Sequence, residues 1–135
     1  KLNGTDWQKL PEKVVVHVND THPGLAIPEL MRLLMDEEGL GWDEAQAIVT
    51  RTIAYTNHTI MAEALEKWPE GMVKSLLPRI WAILQEISGR YQRDLEYRYG
   101  GNLDKVSKML LFNRIPCRGW QPVLSSCRNP RHSSP

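Results

Sequence analysis

Cysteine is scarce in this chain. It occurs twice, at Cys117 and Cys127, separated by nine residues and without a Cys-x-x-Cys pair. That spacing makes a poor metal site and rules out the disulfide framework that staples small secreted domains. Long apolar runs are missing too. None approaches the roughly 20 residues that a bilayer span requires, and nothing reads as a secretory signal, so the expectation is a soluble, cytoplasmic chain that does not enter a membrane. Nor does one sign of charge dominate: 17 Lys and Arg stand against 16 Asp and Glu, for a net +1. Residues 110–135 hold Arg114, Arg118, Arg128 and Arg131 and no acid, which leaves −3 on the first 109 residues. A mildly acidic body offers no basic stripe for nucleic acid, and four arginines scattered among prolines are a weak footprint.

What the chain does have is a sharp junction at residues 14–23, Val-Val-Val-His-Val-Asn-Asp-Thr-His-Pro. The valine-rich run reads as a strand over 14–18 that wants burial on both faces, as parallel strands between helix layers do. Asn19, Asp20 and His22 then emerge at its carboxyl end, where ligands of open α/β sheets collect. The arrangement returns at Ile53-Ala54-Tyr55, another short strand-like run, which ends in Thr56-Asn57-His58-Thr59. Two such clusters converge on one cleft if their strands share a sheet.

The segments between and beyond these strands read as helices. After the first strand, Leu30, Met31, Leu33 and Leu34 fall at helical spacing, ending near Gly39. Pro23 and Pro28 bracket the start, and either fits a first turn, where a missing amide costs nothing. A second helix is expected from Trp42-Asp43-Glu44, with carboxylates favoured at the positive end of the dipole and Trp42, Ala45, Ile48 and Val49 as the apolar stripe. Strand, helices, strand is the crossover organisation of a parallel sheet. A short helix is expected over 62–68. A long amphipathic one is expected over 71–99, where Val73, Leu76, Leu77, Ile80, Trp81, Leu84, Ile87, Tyr91 and Leu95 recur at three or four residues. Pro78 either kinks it or starts a new helix. A further short turn is expected over 103–109. Residues 110–135 lose apolar periodicity among Pro116, Pro122, Pro130 and Pro135, and no packed structure is expected there.

Read together, several runs resemble the α-glucan (glycogen, starch or maltodextrin) phosphorylases. They are Leu-Pro-Glu-Lys-Val at 10–14, Asn-Asp-Thr-His-Pro at 19–23, Ile-Pro-Glu-Leu-Met-Arg-Leu-Leu at 27–34 and Trp-Asp-Glu-Ala at 42–45. To these are added Ala-Tyr-Thr-Asn-His-Thr at 54–59, Glu-Ala-Leu-Glu-Lys-Trp-Pro at 63–69 and Leu-Leu-Pro-Arg at 76–79. Each is weak alone; their order and spacing over residues 5–109 make the resemblance specific. It implies an α/β fold, a helix-rich fragment of a Rossmann-like (GT-B type) amino-terminal domain with two or so short parallel strands. Residues 1–109 would be part of that domain and 110–135 a divergent tail, read as out-of-frame translation or a truncated reading frame.

The resemblance further implies phosphorolysis: inorganic phosphate attacks the terminal α-1,4-linked glucosyl unit of a glucan, releasing glucose 1-phosphate. Pyridoxal 5′-phosphate would be held by a lysine of the carboxyl-terminal domain, outside this chain, and the parent enzyme would be a homodimer. By the same resemblance, His58 contacts the catalytic glucosyl unit through its 6-hydroxyl and its own main-chain carbonyl. Asp20 and His22 line the other side of that sugar, Asn57 adjoins His58, and Glu66 is a carboxylate close by. None is the general acid.

Residue chemistry alone leaves other readings open. Asn19-Asp20-Thr21 also suits a turn and helix cap, whose side chains bond neighbouring amides. His58 also suits a structural histidine, and Glu66 a solvated helix carboxylate. Trp42, Trp68 and Trp81 sit at helical apolar positions and read as core or interface anchors. A non-catalytic carbohydrate-binding or helical interaction module built on the same scaffold is the alternative function.

Overall fold

A computed structural model describes residues 6–21, 23–56, 58 and 68–99. The chain enters through a 3₁₀ turn, Trp7–Lys9, where the Asp6 carboxylate accepts from the Gln8 amide at 3.2 Å. Helix α1 (Leu10–Lys13) follows, with Pro11 in its first turn, and leads into strand β1 (Val16–Asn19). Helix α2 (Ala26–Arg32) begins two residues before Pro28, so Pro28, and not Pro23, occupies the first turn. Its imino nitrogen falls where no helical acceptor is needed.

Helix α2 does not end there but widens into a π-helical turn, Leu33–Glu37, in which the Glu38 amide reaches back to the Leu33 carbonyl at 3.2 Å. Gly39, at φ +80°, stops it in the left-handed conformation that costs glycine least. Helix α3 (Trp42–Thr52) then runs without a loop into strand β2 (Ile53–Thr56). Asp43 and Glu44 in its first turn complement the dipole as expected, and Arg51 in its last turn does so at the other end. Near its end the buried Thr52 hydroxyl donates to the Ile48 carbonyl at 2.8 Å, so it enters the interior already satisfied.

The long amphipathic segment is two helices. Helix α4 (Glu70–Leu76) and helix α5 (Pro78–Tyr99) are separated at Leu77, whose φ −133° and ψ 61° leave the helical region. Proline at the next position disfavours helical backbone at the residue before it and starts the second helix cleanly. One consequence departs from the sequence reading. Leu76 and Leu77 were expected on the buried stripe, yet they are 70% and 42% exposed, because the break ends the periodicity that would have turned them inward. Ile83, outside the expected stripe, is instead fully buried. The expected helices over 62–68 and 103–109 and the tail 110–135 lie outside the described residues, apart from Trp68, which is half-buried and not helical.

Met31, Leu34, Ala45, Ile48, Val49 and Ile83 form one core, drawn from α2, the π turn, α3 and α5. Burying each large aliphatic chain contributes about 1.5–3 kcal/mol. Ion pairs ring this core. Arg79 grips Asp36 with two bonds of 2.7 and 2.6 Å, tying the start of α5 to the π turn. Arg90 bonds Glu86 and Asp43 at 2.7 and 2.8 Å and lies 4.9 Å over the Trp42 ring. Trp81 is buried, whereas Trp42 is half-buried, an anchor at the edge of the core rather than in it.

The strands pair in parallel, Val16 with Ile53, His17 with Ala54, Val18 with Tyr55 and Asn19 with Thr56. Side-chain alternation places Val18 and Tyr55 on one face and His17, Asn19, Ala54 and Thr56 on the other. Only Val18, 2% exposed, is buried; Val14, Val15 and Val16 are exposed. Burial on both faces was the expectation for this strand, and the structure covers one. Among the described residues the helices pack on a single side, which leaves the His17 face open.

Candidate functional site

The candidate site forms where the two strands end. Because Asn19 pairs with Thr56, the polar clusters that follow leave the sheet at the same level. The Asp20 amide donates to the Thr56 carbonyl at 2.8 Å, extending the ladder by one bond past the last paired residues. Asp20 then curls to φ +60°, the one non-glycine residue in the left-handed region among those described. Asp tolerates that conformation better than most side chains. In this pose its Oδ1 accepts the His58 amide at 3.0 Å, and its Oδ2 accepts the Asn19 side-chain amide at 3.2 Å. Two clusters separated by 38 residues in sequence are thereby joined directly.

Neighbouring groups set the local chemistry. Burial pushes the Tyr55 phenol above its ordinary pKa, and the Asp20 charge adds to the shift. A phenol held neutral beside a carboxylate can donate or accept a hydrogen bond at neutral pH. On the open face the His17 imidazole Nε2 shares a short hydrogen bond with the Thr56 hydroxyl. His58 itself is exposed. Amide, imidazole, hydroxyl and carboxylate groups on strand ends make a set suited to gripping a polyhydroxylated ligand.

The expected site residues thus divide in two. Asp20 and His58 meet. His22, Asn57 and Glu66 lie outside the described residues. Tyr55 and His17 were not among the expected site residues, although strand alternation signals His17, since it shares a face with Asn19. No group of three or more His, Cys, Asp or Glu among the described residues is placed to hold a metal ion. No helix among them is long and apolar enough to cross a membrane.

An α/β unit with a parallel ladder and polar side chains gathered at its carboxyl ends belongs to the broad class that binds ligands at such edges. Comparison with known proteins narrows the class: the family model described as carbohydrate phosphorylase matches residues 1–117, and the chain belongs to that family. It is 62% identical over 86 residues to the alpha-glucan phosphorylase H isozyme of Triticum aestivum, covering 64% of this chain and 10% of the relative. Against the H isozyme of Vicia faba it is 59% identical over 108 residues, 80% of this chain and 13% of that protein. Against glycogen phosphorylase of Bacillus subtilis (strain 168) it is 50% identical over 102 residues, 76% of this chain and 13% of that protein. The chain therefore spans 10% to 13% of the length of these relatives.

Proposed function

We propose that this segment forms part of the glucose-binding wall of an α-glucan phosphorylase, within a Rossmann-like, GT-B type amino-terminal domain of a cytoplasmic, homodimeric enzyme. The reaction is phosphorolysis of a terminal α-1,4-linked glucosyl unit by inorganic phosphate, with glucose 1-phosphate released. One observation carries the reading: in a chain of this family, the Asp20 carboxylate and the His58 main chain meet at the ends of two parallel strands.

Within that reading each group has a modest task. His58 holds the sugar through its imidazole and its carbonyl, and the carbonyl dipole favours positive charge developing at the anomeric carbon. Asp20, His22, Asn57 and Glu66 shape the pocket around it. None of these groups moves a proton; the proton transfers occur elsewhere.

Pyridoxal 5′-phosphate, when bound, supplies a phosphate group that assists proton transfer to and from the substrate phosphate. The described lysines do not fit as its anchor. Lys9, Lys13 and Lys74 are all exposed on helical turns, whereas a lysine used for covalent chemistry is desolvated or lies beside another cation. Membership of the phosphorylase family is what assigns the anchor to a lysine of the carboxyl-terminal domain, outside this chain.

The test is glucose 1-phosphate release from maltodextrin and phosphate by the full-length polypeptide that carries this segment. His58→Ala is expected to lower kcat/KM by roughly 10- to 100-fold, the loss of one or two sugar hydrogen bonds. A variant as active as the parent would remove His58 from the sugar site. The 135-residue chain alone is expected to release none, and release from it would overturn the need for a second domain.

A further inference from the structure

We infer that Asp20 positions His58, acting through the main chain of the second strand end rather than by touching the sugar; this rests on the reading of His58 as the glucose contact. Three bonds carry the inference. The Asp20 amide is tied to Thr56 at 2.8 Å, its Oδ1 to the His58 amide at 3.0 Å, and its Oδ2 to the Asn19 side chain at 3.2 Å. Asp20 is thus stitched to β2 on both sides of residue 57, while Asn19 steadies the carboxylate from its own strand.

His58 needs such a clamp. Strand β2 ends at Thr56, so His58 lies past the last ladder pair of the described residues. Its amide, taken by Asp20, fixes the plane of the peptide that carries the imidazole, and with it the direction in which the ring leaves the backbone. The strain agrees with that role. A left-handed residue other than glycine costs about 1–2 kcal/mol, and such outliers persist where the surroundings over-determine them. Here the curl at φ +60° is what accompanies the reach of the Asp20 side chain to the opposite strand end. The clamp asks for an acceptor oxygen and a tolerant backbone, and not for a negative charge.

Substitution separates these requirements. Asp20→Asn retains an acceptor oxygen and a residue type that visits positive φ; Asp20→Gly relieves the backbone and deletes the acceptor; Asp20→Ala deletes the acceptor and keeps the strain. Amide hydrogen exchange of the segment bearing His58, read in the full-length polypeptide by hydrogen–deuterium exchange mass spectrometry, is expected to quicken roughly tenfold in Asp20→Ala and Asp20→Gly. Asp20→Asn is expected to stay near the parent rate. A His58 amide that exchanges at the random-coil rate in the parent, or equally in parent and Asp20→Ala, overturns the inference. Recovery in Asp20→Gly does so as well, because it assigns the effect to strain.

A second arm separates action through His58 from direct sugar contact. In the full-length polypeptide, Asp20→Ala is expected to raise KM for maltodextrin, and to raise it by a smaller factor when His58 is already alanine, the remainder reporting the main-chain carbonyl that alanine keeps. Fully additive losses place Asp20 on the sugar and overturn the inference. Absence of phosphorolysis in the parent polypeptide would strike the phosphorylase reading instead, and the exchange rates would still decide the clamp.

Discussion

Ile48 and Ile83, in the helical part of the molecule, are each 1% exposed, whereas Val15, leading into the first strand, is 73% exposed. Both regions are rich in apolar side chains, so composition does not separate them. Connectivity does. Helices α2, α3 and α5 satisfy their backbone internally and need only one another's apolar stripes, all of which the described segment supplies. Among the described residues the ladder holds two parallel strands with one open face, and a parallel ribbon of that size depends for its stability on neighbours it does not itself contain. The comparison teaches that the helical part carries the stability of the segment while the ribbon carries the candidate site.

The largest expected effect lies in the helical part. Ile48→Ala is expected to cost about 2–5 kcal/mol, read by urea unfolding followed through helical circular dichroism. Equal costs for Ile48→Ala and Val15→Ala would dissolve the distinction between the regions. Gly39→Ala is next. A Cβ there meets nothing within 4 Å, so the cost is conformational alone, about 1–2 kcal/mol for a residue at φ +80°.

Acid tests the ion pairs around the core. The Arg79 hydrogen bonds hold the Asp36 carboxyl below its ordinary range, and they outweigh its desolvation. The folded value is lower than the unfolded one, so the stabilisation is complete above the ordinary carboxylate pKa of about 4 and is lost as pH falls through the lowered value. Both partners are solvent-exposed, which limits the loss to less than about 1 kcal/mol. Asp36→Asn is expected to remove that component of the acid limb, measured by unfolding at about pH 7 and about pH 3.

In the ribbon, Val15→Ala is expected to change stability by no more than about 0.5 kcal/mol. Val15→Lys is expected to be equally mild for stability, since residue 15 is exposed and lies outside the paired strand. The smallest effect concerns Tyr55. Asp20→Asn is expected to lower its pKa slightly toward the ordinary tyrosine value, because burial, the larger cause, remains. Ultraviolet titration of the phenolate checks it.

Much of this architecture was legible in the residues. The strand–helices–strand order, the start of α3 at Trp42 and the stop at Gly39 follow from valine runs, first-turn carboxylates and glycine. Register was less accessible: β1 begins at Val16 rather than at residue 14, because pairing with Ile53, and not valine content, decides where a strand starts. The π turn left no mark, since its widened hydrogen bonds depend on how Leu34 reaches the core. Leu76 was misread because a three-to-four spacing continues across Pro78 on paper while the backbone does not. At the site, each polar cluster announced itself, but the bond between Asp20 and His58 required a positive φ that no residue pattern specifies.

Helix α5, with 22 residues, is about 33 Å long, and it behaves as a beam on two supports. Arg79 pins it to Asp36 beside its origin, and Arg90 pins it to Asp43 and Trp42 about 16 Å further along. Two pins define a line, where one would define only a pivot. The aim of the exposed far end, with Tyr97 90% in solvent, is therefore set jointly by the buried Leu95 and by a guanidinium lying on an indole nine residues upstream of the tip.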